Sequence, residues 1–253
     1  VILGEETKPS LENLVHFGVK GMKWGVRKEE QSTSPGTSDH VVKKGTEIHN
    51  ISGDTPRDIS GHVYASYLKK DNANYRGSYS QMLKYFMGAK KTYDNVFEAK
   101  QDIKLPSEKK AVDTFKKLYD SDRENISRAM AKAKVDSTFM LALGRKMGIK
   151  VEDKQFQKYR NLGKKALAQK GFMDFQQSLA ISDYNRSKYF GSLLKQGYTG
   201  MIDSNDVKQW GSDRPLIIFK GDKSLKRKAT IELSERDIDQ ALKEYKELSK
   251  ERG

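Results

Sequence analysis

Apolar positions along the chain change their period twice. From Val41 to Leu105 they alternate or sit in short blocks, from Pro106 to Leu194 they recur every three or four residues, and after Gly197 the short blocks return. A period of two marks strands, and a period near 3.6 marks amphipathic helices. VVKKGTEIHNIS over 41–52 predicts a strand or two around Ile48 and Ile51. GHVYASYL over 61–68 predicts another, with Val63, Ala65 and Tyr67 on one face and Tyr64 and Ser66 on the other. Residues 78–87 predict a short helix, and 95–105 a further strand ending at Pro106.

The middle is helical. Pro106-Ser107-Glu108 is a helix start with Ser107 as N-cap, followed by a stripe of Val112, Phe115, Leu118 and Tyr119. Residues 124–147 predict one or two helices, with Met130, Ala133, Phe139, Leu141 and Leu143 apolar and Gly148 as the stop. A basic helix is expected over 153–169, carrying Phe156, Tyr159, Leu162 and Leu167, with two more over 172–181 and 184–194. Strands follow at 199–203, at 214–220 (RPLIIFK, of buried type) and at 229–233. Ser234 and Asp237 form a capping-box pattern ahead of a stripe of Ile238, Ala241, Leu242, Tyr245 and Leu248. Strands at both ends of a domain with helices between them imply an α+β fold, with a split or mixed sheet and a helical middle section.

The first forty residues differ. Residues 28–39, KEEQSTSPGTSD, contain no apolar residue and have a linker composition, which places the domain boundary there: a flexible basic arm over 1–39 and an α+β domain over 40–253. Inside the arm lies GVKGMKWGVR, residues 18–27, with three glycines, three cations and one tryptophan. Ordering three glycines carries a large entropic penalty, so close approach to a partner is one reason for them. Trp24 would then be the anchor, with Lys20, Lys23 and Arg27 as charges around it, Trp and Arg being enriched at binding hot spots. The other reading is a flexible basic linker with one incidental tryptophan.

His16-Phe17-Gly18-Val19-Lys20-Gly21-Met22-Lys23-Trp24-Gly25-Val26-Arg27 resembles an H-x-G-x-K-G-x-K-W-G-x-R motif found in proteins of tailed bacteriophages and prophages, often within head-morphogenesis genes. The resemblance implies a virion protein made in the bacterial host cytoplasm. Its arm would dock on a capsid, portal or connector surface, with the α+β domain held as an appendage or internal cargo.

Composition narrows the classes. Cysteine is absent, which excludes disulfides and thiolate metal sites. No run of 18 apolar residues predicts a transmembrane helix, and no secretory signal is seen. Twelve Tyr, ten Phe and two Trp can furnish a core. The chain begins at Val1, as expected of a processed product or a fragment of a longer protein. A net charge of +14 favours a polyanionic neighbour, non-specific contact with DNA included, although the lysines are spread along the chain and also serve solubility. The densest basic run of the folded part, KGDKSLKRK over 220–228, offers Lys220, Lys223, Lys226, Arg227 and Lys228 to phosphates, or is a solvated hairpin between two strands.

No strong catalytic signature is present, and with only four histidines, two of them (His16 and His40) in the arm or linker, no histidine-rich metal site is expected. Three segments together resemble domains of the ADP-ribosyltransferase class: KGTEIHNIS over 44–52, GHVYASY over 61–67 followed by Asp71 and Tyr75, and GYTGMID over 197–203 leading to 215–226. The resemblance implies a split sheet that grips NAD. An Arg or His on the first strand contacts the dinucleotide, a Ser or Tyr on the next supports it, and a late Glu polarises the ribose and activates the acceptor. His49 or Asn50 falls at the first position, Tyr64 and Ser66 at the second, and Asp203 or Asp206 where the class has Glu. The carboxylate is one bond shorter, and catalysis tolerates little misplacement. Asp203-Ser204-Asn205-Asp206 is equally good turn chemistry. Two functions are therefore expected: a head-associated virion protein, or an NAD-dependent effector acting on a host target.

Overall fold

The computed structural model describes residues 38–136, 151–204, 206–207 and 211–250. All belong to one unit, Pro35–Gly253, and its architecture is α+β. Among the described residues, eight strands run in chain order as β1 (His40–Val42), β2 (Glu47–Gly53), β3 (Val63–Ala65), β4 (Thr92–Ala99), β5 (Ile103–Leu105), β6 (Gly200–Ile202), β7 (Leu216–Ile218) and β8 (Leu225–Glu232). The longer helices are α1 (Lys69–Asn74), α2 (Ser80–Met87), α3 (Glu108–Ser121), α4 (Arg123–Asp136), α5 (Val151–Arg160), α6 (Phe172–Leu179), α7 (Asp183–Lys195) and α8 (Glu235–Lys250). A π-helical turn, Tyr75–Tyr79, joins α1 to α2 in one continuous rod.

All strand pairs are antiparallel. One sheet has the order β2-β4-β8, with Ile48 opposite Phe97 and a bulge at Val96/Phe97 where β8 crosses β4. A second has the order β3-β7-β6, and β1 pairs with β5 in a third, two-stranded sheet. Thr199, just before β6, ties these two together: its N–H donates to Lys104 O at 2.9 Å and its Oγ1 accepts from Lys104 N–H at 3.0 Å. Among the described residues, the β2 and β3 sheets meet at an isolated bridge, where the His49 and Ser66 main chains exchange hydrogen bonds of 2.8 Å in both directions. Beyond it β2 and β3 part, so the sheet is split.

Between β5 and β6 the helices α3 to α7 form a separate layer. Phe115 stacks on Phe175 at 4.4 Å between ring centroids, and Tyr189 meets Phe175 edge-on at 5.1 Å. These three rings are fully buried, and aromatic pairs of this kind add about 0.5–1.5 kcal/mol beyond their area. Val42, Ile48, Val63, Phe97, Ile103, Leu105, Leu216 and Ile218 form a second core under the strands. A third, smaller one joins Ile51, Leu83, Leu233 and Ile238.

Caps set several helix ends. Ser107 Oγ accepts from Lys110 N–H at the start of α3, and Ser182 Oγ from Asn185 N–H at the start of α7. Ser234 and Asp237 make a reciprocal capping box, with Ser234 N–H donating to Asp237 Oδ2 at 2.9 Å and Asp237 N–H to Ser234 Oγ at 3.2 Å. Gly77 has a positional reason: a Cβ there would lie 2.8 Å from Leu242 Cγ, so α8 can rest on the π turn only because the side chain is missing.

Several elements differ from expectation. The helix expected over 78–87 begins at Lys69, because residues 69–77 carry too few apolar positions to show a period. The strand expected over 95–105 is two, β4 and β5, broken between them. The basic helix expected over 153–169 ends at Arg160, before Gly163, and helix resumes at Lys164. β8 starts at Leu225, so KGDKSLKRK is not a hairpin: Gly221–Ser224 is one helical turn, and Lys226, Arg227 and Lys228 already lie on the exposed strand. Phe139, Leu141, Leu143 and Gly148 fall outside the described residues, as do Lys20, Lys23, Trp24 and Arg27.

Candidate ligand-binding cleft

The parting of β2 from β3 opens a cleft of about 960 Å³. Small-molecule sites run to roughly 300–1,000 Å³, so the space is large for a single-domain cavity. One wall is β2 from His49 onward with the loop to Arg57 and Asp58; another is Tyr64 and Ala65 of β3. The helical rod contributes Tyr75, Tyr79 and Leu83, and the helical layer contributes Lys134, Gln176, Gln177, Ala180 and Ile181. Asp203 and Asp206, after β6, complete it.

Side chains hold the split open in a defined way. Where β2 and β3 would continue pairing, Asn50 Nδ2 donates to Tyr64 O at 2.7 Å, replacing a main-chain ladder bond with a longer side-chain bridge. Asn95, wholly buried beneath, donates to Asn50 O at 3.1 Å and to Ser52 Oγ at 2.9 Å. Its Oδ1 accepts from Arg57 N–H and from Arg227 Nη1, both at 3.0 Å. Arg57 is thereby fixed at the mouth. Its Nη2 donates to His62 O at 2.9 Å, while its Nε has no hydrogen-bond partner among the described residues.

His49 is held by charge. Its Nδ1 is 3.0 Å from both oxygens of Asp94, and its Nε2 is 3.0 Å from Glu47 Oε1. Arg76, set by the π turn, donates from Nε to Asp94 Oδ2 at 2.7 Å. Burial disfavours the imidazolium, but Asp94 and Glu47 outweigh it, and the His49 pKa lies above its ordinary value. The ring is engaged by carboxylates on both nitrogens, an arrangement suited to fixing its position in the cleft wall.

Tyr75 donates its hydroxyl to Asp206 Oδ2 at 2.6 Å. Burial, reinforced by Asp206, raises the Tyr75 pKa; burial also raises that of Asp206, against the hydrogen bond from Tyr75. Tyr64 is held protonated by burial and by the charge of Asp203. Asp203 is buried, with its N–H on Pro215 O at 2.9 Å.

Of the four candidate catalytic residues, His49, Tyr64 and Asp203 share this cleft. Ser66 does not: the bridge turns it inward, it is 1% exposed, and its Oγ donates to Asn72 Oδ1 at 2.6 Å. His62 lies before β3 rather than in it, between Tyr64 and Phe190. In the basic run, Arg227 is consumed internally, bonding Asn95, Thr230 and Arg57 O and covering the Phe97 ring, and Lys228 pairs with Glu98. Lys220, Lys223 and Lys226 are exposed. No group of acidic and histidine side chains suited to a metal is found among the described residues. None of the described helices is long and apolar enough to cross a membrane.

Sequence reasoning did not find Arg57, Tyr79, Lys134 or Gln176. Each stands alone in a segment without a motif, and only the fold brings them together.

Among known families, one described as a family of unknown function (DUF7211) matches residues 7–31, a stretch that encloses the Trp24 island. No curated protein and no solved structure matches the chain.

Proposed function

We propose that residues 40–253 form an NAD-binding domain of the ADP-ribosyltransferase type, carried on an arm that docks to a phage head. The cleft at the sheet split is the observation that carries the first part. A domain of purely structural role fills such a gap with side chains. Here the gap is about 960 Å³, and polar groups from six separate segments converge on it. Arg57 and Lys134 on its lining are the cations suited to a diphosphate. His49, fixed by Asp94 and Glu47, occupies the first-strand position of that class, and Tyr64 the second.

The late carboxylate is Asp203. In the transfer step the C1′–N bond of the nicotinamide ribose breaks and its electron pair leaves with nicotinamide. C1′ then becomes cationic and takes the oxygen or nitrogen of an acceptor, whose proton passes to a carboxylate or water. Asp203 supplies the negative charge that stabilises C1′. Its reach is one bond shorter than that of a glutamate, so slow turnover is expected. Calorimetric titration with NAD and an assay of nicotinamide release test this. Asp203→Asn should bind NAD and lose release by about a hundredfold; wild-type protein that shows no NAD binding overturns the proposal.

The docking part rests on the motif at residues 16–27, and a family model that matches 7–31 supports treating this stretch as a module of its own. Co-sedimentation with purified phage heads, for the full chain and for Trp24→Ala, tests it. Wild type and variant sedimenting alike would remove the anchor role of Trp24.

A further inference from the structure

Gln176 sits in the middle of α6 and lines the cleft, and it is 4% exposed. Neither its Nε2 nor its Oε1 has a hydrogen-bond partner among the described residues. Its neighbours are accounted for: Gln177 Oε1 accepts from Lys134 Nζ, and Ser178 Oγ donates to Phe175 O at 2.6 Å and accepts from Asn185 Nδ2 at 2.8 Å. Phe172, Phe175 and Leu179 of the same helix fill the aromatic core. A buried amide with both ends unsatisfied is costly, and an apolar side chain of similar size would be better tolerated there. Such a group calls for an explanation in terms of a partner that arrives from outside.

We propose that Gln176 is the residue by which the cleft selects its ligand, pairing its carboxamide with a planar group that presents one donor beside one acceptor. This rests on the NAD reading above and narrows it. A carboxamide offers an N–H and a C=O in one plane, so its best complement carries the same two groups in reverse order. Phosphate, which lacks the donor, and an ammonium group, which lacks the acceptor, meet only half of it. Two pieces of NAD meet all of it: the carboxamide of nicotinamide, and the N6/N7 edge of adenine, which glutamine reads in two parallel hydrogen bonds.

The experiment is calorimetric titration of wild type, Gln176→Leu and Gln176→Glu with NAD, nicotinamide mononucleotide and AMP, together with melting curves of each ligand-free protein. Gln176→Leu should weaken NAD binding by about tenfold or more. Whichever half-ligand carries the paired group falls with it, and the other half is unchanged. Gln176→Glu should behave like the Leu variant, since an ionised carboxylate cannot donate. The ligand-free Leu variant should melt at or above the wild-type temperature. The proposal is overturned if the Leu variant binds all three ligands as wild type does, or if it melts clearly lower, which would mean the amide is already satisfied. Wild-type protein that binds none of the three removes the NAD reading itself, and this proposal with it.

Discussion

The main chains of His49 and Ser66 exchange two hydrogen bonds of 2.8 Å, and the pairing of β2 with β3 ends there. Everything on the far side of that bridge is cleft. Asn50, the next residue of β2, spans the opening with its side chain instead of its backbone.

Asn50→Ala leaves the Tyr64 carbonyl without its partner in a largely buried place. A destabilisation of about 1–3 kcal/mol is expected. Urea unfolding of the variant beside wild type measures it, and an unchanged midpoint would show that water replaces the amide without loss.

The charge cage around His49 makes stability depend on pH with a definite sign. The folded pKa is raised by Asp94 and Glu47, against burial and against Arg76. The contribution is therefore complete below the unfolded value of about 6.5 and is lost as pH rises through the folded value. Urea midpoints measured from about pH 6 upward should fall for wild type and fall less for His49→Gln. Equal slopes would place the imidazolium outside the balance.

His62 has the opposite sign. Burial, then the charges of Arg186 and Arg57, hold its pKa down to about 4. The unfolded chain binds this proton first, so stability is lost as pH falls from about 6.5 toward that value. His62→Phe keeps a ring between Tyr64 and Phe190 and should flatten the acid limb of the stability curve. If the limb is the same in both proteins, carboxylates alone account for it.

At the π turn, Gly77→Ala puts a methyl group 2.8 Å from Leu242 Cγ and 3.1 Å from Leu242 N. A loss of about 1–3 kcal/mol is expected from overpacking. Leu242→Ala in the same chain relieves the side-chain part of the clash, so the double variant should be less destabilised than the sum of the two. Chemical denaturation of the four proteins of that cycle gives the coupling, and strict additivity would mean that α8 moves aside freely.

The sequence made some of this legible and hid the rest for physical reasons. RPLIIFK announced β7 because a strand covered on both faces is a continuous apolar run, and α8 was legible from its stripe and capping box. The rod ahead of α2 left no period to read, because residues 69–77 carry too few apolar positions. His49, Tyr64 and Asp203 were reachable as a group only through resemblance, and the same route picked Ser66, which the bridge turns inward. Gln176 was invisible: one glutamine in an amphipathic helix is unremarkable until its burial is known.

The order of the strands has a consequence for synthesis. β4 waits for β8, and β3 waits for β7, each partner lying beyond the whole helical layer in the chain. A ribosome therefore releases β1 to β5 long before two of them have their neighbours, with Ile48, Val63 and Phe97 still uncovered. Helices α3 to α7 all precede β6 in the chain, so their mutual contacts, such as Phe115 on Phe175, can begin to form first. The nascent protein is then a formed helical layer attached to open sheet edges, the species most prone to join the wrong strand or to need a chaperone's cover. The cleft comes into being last, when residues 200 to 232 arrive and both halves of the sheet close around it at once.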